Sequence, residues 1–132
     1  MRSIRFVVMP GELAVVRLAP RDPVPDWAFC ASSLDAFVSV TRTEDELSIV
    51  CDPRHAPRDA RIESGFSSIR LVGPFPFDQV GVLASFTAPL AQAGVSLFAM
   101  STFDTDYILV KTDRLETAVA ALVRAGHVRE GA

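Results

Sequence analysis

Residues 95–111 read Val95-Ser96-Leu97-Phe98-Ala99-Met100-Ser101-Thr102-Phe103-Asp104-Thr105-Asp106-Tyr107-Ile108-Leu109-Val110-Lys111. Two apolar runs rich in β-branched and aromatic residues flank the polar stretch Thr102 to Asp106, which is the signature of strand, turn, strand. The flanking segments on both sides switch to the helical period. Leu83, Phe86 and Leu90 fall on one face of a helix running from about Asp78 to Ala93, because residues at i, i+3 and i+7 share a helix face. Asp78 stands where it can cap that helix, and Gly94 follows its end, where a positive φ is needed. Downstream, Asp113 with Glu116 resembles a capping box with Asp in place of Ser or Thr. It opens a second helix, ending at Gly126, with Leu115, Ala118, Val119 and Leu122 on one face. Upstream, Ser67-Ser68-Ile69-Arg70-Leu71-Val72 reads as a strand closed by Gly73-Pro74.

The resulting order, β-α-β-β-α, is the beginning of a ferredoxin-like split βαβ unit. A fourth strand is missing on this reading, because His127-Val128-Arg129-Glu130 is short. A strand at the N-terminus, in Met1 to Pro10, is the candidate to complete the sheet and knit the two halves of the chain together. Residues 53–64 are polar and broken by prolines, and they read as a connecting segment. Before it lie short strands: Ala14 to Leu18, then Phe37 to Thr41 and Leu47 to Cys51 as a hairpin around Thr43-Glu44-Asp45-Glu46. Pro25 to Cys30 suits one or two helical turns, with Trp27 packed into a core.

Composition narrows the function. The chain has 132 residues, 49% hydrophobic and 22% charged, as expected of a folded domain and not of a disordered one. A net charge of −3, with a single lysine at Lys111, argues against nucleic acid as a partner, since phosphate recognition needs a basic surface. No apolar run approaches the roughly 20 residues that span a bilayer, and the N-terminus has neither signal-peptide length nor a cleavage pattern. The expectation is a cytoplasmic protein without a membrane partner. Cys30 and Cys51 make no disulfide framework and read as small buried hydrophobes.

No catalytic set stands out. His55 lies in the polar connection and His127 just past a helix-ending glycine; both read as surface histidines, without a Cys, Asp or Glu at metal-ligand spacing. Glu44-Asp45-Glu46 reads as a solvated turn. Asp104 and Asp106 share one turn, with too few oxygen ligands nearby for calcium. The glycines around Pro74-Phe75-Pro76-Phe77 match neither dinucleotide nor P-loop spacing. No metal or cofactor is expected. One feature concerns binding. A helix start offers backbone N–H groups without intrahelical partners and a dipole that favours a carboxylate. Gly81 in its first turn lets a ligand approach, and the carboxylates of residues 101–106 suit an ammonium or guanidinium. Together they suit a zwitterion; ordinary capping and turn chemistry is the plainer alternative.

The stretches Phe77-Asp78-Gln79-Val80-Gly81-Val82-Leu83, Pro89 to Phe98 and Ser101 to Val110 resemble an ACT domain. More narrowly they resemble the branch of small tandem ACT proteins related to aspartate kinase regulatory domains and to cytosolic arginine sensors. The resemblance implies an α+β fold of two ferredoxin-like βαββαβ units sharing antiparallel sheets, a degenerate N-terminal one over residues 1–60 and a C-terminal one over residues 61–132. It implies an amino acid bound at an interface between ACT units by Asp78, Gln79, Val80, Gly81, Val82, Leu83, Thr102, Phe103 and Asp106. The ligand carboxylate would meet N–H groups near Gly81 and Val82, and Asp106 would accept from the ammonium or a basic side chain. No kinase or dehydrogenase domain accompanies these units, so the expected output is a homodimer or a regulated protein partner. A ligand-free interaction scaffold on the same fold is the alternative, and a small enzyme the third reading.

Overall fold

The computed structural model describes residues 3–29 and 37–131. Its strands are β1 (Arg5–Val8), β2 (Leu13–Leu18), β3 (Ser39–Arg42), β4 (Leu47–Cys51), β5 (Arg61–Leu71), β6 (Phe98–Ser101), β7 (Asp106–Lys111) and β8 (Val128–Glu130). Its α-helices are α1 (Val82–Gln92) and α2 (Leu115–Arg124), giving the mixed α+β class that the sequence implies. The expectation for Cys30 and that for the side chain of His55 lie outside the described residues.

The chain packs as two units, Gly11–Phe66 and Met1–Pro10 with Ser67–Ala132. The first ten residues thus belong with the C-terminal part, a spatial division that differs from a cut at residue 60. In the unit Gly11–Phe66 the strand order is β3-β4-β2-β5, antiparallel throughout. The expected hairpin is present as β3 and β4. Thr43 closes its turn, its N–H donating to the Glu46 carbonyl at 2.9 Å while its hydroxyl accepts from the N–H groups of Asp45 and Glu46. Val16, Leu47, Ile49, Cys51 and Ala28 form the core, with Trp27 from the 3-10 turn Asp26–Phe29 packed against it. The segment read as a connection is shorter than its composition suggests. β5 begins at Arg61, where exposed Arg61 and Glu63 alternate with half-buried Ile62; charges on the outer face hid the two-residue period.

In the other unit the order is β6-β7-β5-β1-β8. β1 runs antiparallel to β5, pairing Phe6 with Leu71, and parallel to β8, pairing Phe6 with Arg129. The fourth strand expected to be missing is therefore present. β8 has only three residues and forms because β1 offers it a ladder, so the N-terminal strand stands inside the sheet. With it the order β5-α1-β6-β7-α2-β8 completes the βαββαβ unit, although the β1–β8 pair is parallel and not antiparallel. Ile4 just before β1, with Phe6, Ile69, Leu71, Ile108 and Val110 from the strands, meets Phe86 and Leu90 of α1 and Ala118 and Leu122 of α2 in one core. Burying a side chain such as Phe86, which is 0% exposed, contributes about 3 kcal/mol.

Both helix starts differ from the sequence expectation. Asp78 does not cap α1. Residues 77–78 form a turn, the helix begins only after Gly81 at φ 86°, and no side chain bonds to its N-cap. The capping box expected of Asp113 and Glu116 is not formed either. Thr112–Arg114 make a 3-10 turn, and the side chain of Arg114, the N-cap residue of α2, does not cap the helix. The C-terminal expectation holds at Gly94, whose φ is 73°.

His127 is not a surface residue: it is 2% exposed and its ring lies 4.2 Å from that of Phe86. The reason starts in the sequence at Pro89, inside α1. Proline has no N–H, so the carbonyl four residues back loses its helical donor. That carbonyl belongs to Ser85, and His127 Nε2 lies 2.9 Å from it. On the other side His127 Nδ1 accepts the Ile4 N–H at 3.2 Å. Since Nδ1 is an acceptor, Nε2 carries the proton and donates to Ser85, which defines the neutral tautomer. One ring thus joins α1 to the segment leading into β1.

Candidate functional site

A cleft of about 310 Å³ opens between the loop leading into α1 and the turn between β6 and β7. Its volume is at the low end for small-molecule sites, which run from about 300 to 1,000 Å³. One wall comes from Phe75, Pro76, Phe77, Gln79 and the α1 start Gly81 to Ala84, the other from Ser101 to Asp106.

The two walls are tied together. The Phe75 N–H donates to the Asp104 carbonyl at 2.9 Å. Thr105 Oγ1 donates to the Leu71 carbonyl at 2.7 Å, fastening the turn to the end of β5. Thr102 N–H donates to the Thr105 carbonyl at 2.8 Å within the turn. Gly73 makes this approach possible, because a Cβ there would stand 2.8 Å from the Asp104 carbonyl oxygen and 3.1 Å from Thr105 Cβ. At the rim, Phe77 and Phe103 meet with ring centroids 4.8 Å apart while remaining 78% and 80% exposed.

The cleft carries opposite electrostatic features on its two walls. The N–H groups of Val82, Leu83 and Ala84 lead α1 and have no intrahelical acceptor, and the helix dipole adds partial positive charge there. Gly81 contributes backbone conformation: a Cβ at that position would meet nothing within 4 Å, but φ 86° is one that side chains resist. Opposite stand Asp104, exposed, and Asp106, half-buried at the start of β7. Asp106 Oδ1 accepts from the Ser101 hydroxyl, its partner across the β6–β7 ladder.

Of the residues singled out from sequence, Gln79, Gly81, Val82, Leu83, Thr102, Phe103 and Asp106 all line this cleft. Val80 does not; it is 94% exposed and borders a second, larger cavity of about 700 Å³ along α1. Asp78 is exposed in its turn and lines neither. Sequence reasoning missed Phe75, Phe77 and Gly73 as site-forming residues. The signal was the Gly-Pro-Phe-Pro-Phe run, where two prolines keep the chain out of a helix and present alternate phenylalanines.

Among the described residues no group of three or more His, Cys, Asp or Glu side chains is arranged to hold a metal ion, and no helix is long and apolar enough to cross a membrane. Cys51 is buried. Burial, and then the adjacent Asp52 carboxylate, push its thiol above the ordinary range, which keeps it from being a ready nucleophile.

The sequence model of the ACT domain matches residues 61–124, and a second model, described as an N-terminal domain, matches residues 11–59. Among characterised proteins, the bovine (Bos taurus) "Cytosolic arginine sensor for mTORC1 subunit 1" is 33% identical over 101 residues, covering 70% of this chain and 31% of that protein. The chain therefore spans about a third of the length of the curated relatives it matches. Among solved structures, the protein Atu0741 of Agrobacterium tumefaciens superposes with a TM-score of 0.89 at 38% identity, over 98% of this chain and 94% of that one. The regulatory subunit of aspartate kinase from Thermus thermophilus shares the fold, with a TM-score of 0.65 at 12% identity over 92% and 96% of the two chains.

Proposed function

Because residues 61–124 place this chain in the ACT domain family, we propose that it is an amino-acid-responsive regulatory module and not an enzyme. The carrying observation is the cleft itself. Unpartnered helix N–H groups and the carboxylates of Asp104 and Asp106 face one space of about 310 Å³, which is the arrangement a zwitterion needs. The ligand carboxylate accepts from the N–H groups at the start of α1. Asp106 accepts from the ammonium or from a basic side chain, as a charge-assisted pair. Gln79, Thr102 and Phe103 border the ligand, Val80 and Asp78 belong to the loop that carries the wall, and Gly11–Phe66 is a degenerate companion unit. The relative named as an arginine sensor supports an amino acid as the class of ligand.

The output is a changed affinity for a regulated partner or for a second copy of the chain, in the cytoplasm. A coupling of about 1–3 kcal/mol is typical of such linkage. β6 and β8 end the strand order of their unit, and unpaired strand edges favour a homodimer.

A thermal-shift screen of the protein against the twenty amino acids tests this reading. A ligand at a hundredfold excess over its dissociation constant stabilises by about 2.7 kcal/mol, several degrees for a domain of this size. The expected result is a shift with a small subset of amino acids that is lost in Asp106→Ala. No shift with any amino acid would favour a second reading, an interaction scaffold without ligand. The exposure of Phe77 and Phe103, whose rings touch, is the observation in its favour, since clustered exposed apolar groups often mark contact surfaces.

A further inference from the structure

Among its described residues, the unit that holds α1 and α2 buries one histidine, the side chain whose charge changes near neutral pH: His127, 2% exposed. Both ring nitrogens are used, and in opposite senses. Nε2 donates to the Ser85 carbonyl at 2.9 Å, while Nδ1 accepts the Ile4 N–H at 3.2 Å. An imidazolium ring is a donor at both nitrogens. A second proton therefore leaves the bond to Ser85 in place and sets two N–H groups against each other at Ile4.

The surroundings offer that second proton no other acceptor. Among the described residues no carboxylate bonds to the ring, whose partners are Ser85 and Ile4. α1 contains no charged residue. In β1 and β8, Arg5 and Glu130 pair with each other at 2.8 Å and Arg129 is exposed, as is Arg124 at the end of α2. The end of α2 favours a cation nearby, yet its last carbonyls are taken. Leu122 accepts from His127's own N–H at 3.1 Å and Val123 from the Gly126 N–H at 3.0 Å. The Phe86 ring, 4.2 Å away, attracts a cation without replacing the bond lost at Ile4.

Ile4 and Ser85 also both line the cavity of about 700 Å³ along α1. Ser85 secures the first turn of that helix, its N–H donating to the Gly81 carbonyl at 3.0 Å and its hydroxyl to the Val82 carbonyl at 2.7 Å. Ile4 leads into β1, and its carbonyl accepts from the Val128 N–H at 3.1 Å. We propose that His127 is an acid-sensitive latch. Neutral, it holds the segment entering β1 to α1 at the wall of this cavity; protonated, it keeps Ser85 and releases Ile4. The latch goes beyond the reading of the cleft and does not depend on what the cleft binds. It gives the protein a response to pH, acting on the helix that also forms one wall of the cleft.

A histidine in an unfolded chain takes up its proton at about pH 6.5. The closed latch needs the neutral ring, so the stability it supplies is present above that pH and is lost as pH falls. The test is denaturant unfolding of the whole chain between about pH 8 and about pH 5, wild type against His127→Gln. Glutamine keeps a donor for Ser85 and does not titrate, while His55 and the carboxylates are common to both proteins. Below about pH 6.5 the folding constant of the wild type should fall more steeply than that of the variant. The difference should reach up to about tenfold per pH unit, the limit for one proton bound only by the unfolded chain. Parallel pH profiles overturn the latch. Nitrogen NMR and amide exchange on the wild type decide the matter even where the variant does not fold. The ring hydrogen should sit on Nε2 at neutral pH, and acid should strip protection from the Ile4 amide while the Ser85 amide keeps it. A hydrogen on Nδ1 at neutral pH, or an Ile4 amide equally protected in acid, overturns the latch as well.

Discussion

The two units of this chain are built from similar sequence materials and do different things with them. Gly11–Phe66 uses short strands and a small core of Val16, Ala28, Leu47, Ile49 and Cys51, and no α-helix occurs among its described residues. The unit of Met1–Pro10 and Ser67–Ala132 places two helices on its strands and buries a larger set around Phe6 and Phe86. The cleft lies in the second unit, because only there does a helix begin beside a strand turn. A helix start brings free N–H groups and a dipole; a hairpin such as β3–β4 satisfies its backbone groups and leaves no comparable place. The comparison teaches that the binding potential of this fold comes from where helices begin, and that strands alone supply the frame.

The strongest way to break the comparison is to damage the larger core and watch both units. Phe86 packs edge-on against Phe6 at 5.9 Å, and Phe86→Ala should cost about 3–5 kcal/mol. Helical circular dichroism reports the unit that holds α1 and α2, while fluorescence of Trp27, the one tryptophan of the sequence, reports the other. β5 contributes hydrogen-bonded residues to each unit, so the two signals should shift together. A loss of helix with Trp27 emission unchanged would show that the units unfold separately.

The next largest effect concerns the proline compensation found only in the helical unit. His127→Leu leaves the Ser85 carbonyl and the Ile4 N–H without their partner, at about 1–3 kcal/mol for each buried group. Adding Pro89→Ala returns a helical N–H to Ser85, so the double variant should recover at least about 1 kcal/mol of that loss. Additive behaviour in a denaturant double-mutant cycle would rule out the shared carbonyl as the link.

A smaller effect tests how the cleft is held. Gly73→Ala sets a methyl group 2.8 Å from the Asp104 carbonyl, and overpacking of this kind costs about 1–3 kcal/mol. Chemical denaturation should show that loss, and ligand-induced thermal shifts should shrink more than the stability does, because the wall itself moves. The smallest effect is expected on the exposed edge of β8. Glu130→Gln removes the 2.8 Å pair with Arg5, whose side chains are 63% and 35% exposed, and such pairs contribute at most about 1 kcal/mol. A larger change would mean that the pair fixes the β1–β8 register.

Much of the fold was legible because it is written in periodicity. The β3–β4 hairpin, the strands on either side of the 102–105 turn and the apolar faces of both helices follow from spacing alone. The elements that were misread have short-range signals that longer-range contacts override. Asp113 followed by Glu116 has the form of a capping box, but the 3-10 turn Thr112–Arg114 delays the helix past it. Arg61 and Glu63 look like linker and are the outer face of a strand. Most of the candidate cleft residues were in view because the helix start and the strand turn were in view. Phe77 lies in a stretch that resembles the family, but its place at the rim does not show in the sequence, since its contact with Phe103 spans loops 26 positions apart.

The sequence by itself determined the class of the protein: a charge of −3, the alternation of strand and helix periods, and glycines at the points where φ turns positive. Those are properties of each residue and its near neighbours, and they are carried in the chain before it folds. Only the tertiary structure decided that the N-terminal strand lies inside the sheet, that a three-residue strand is stable beside it, and that His127 replaces the hydrogen bond Pro89 removes. Each of these depends on which distant group is left with an unmet donor or acceptor, and that is known only when the partners have been brought together.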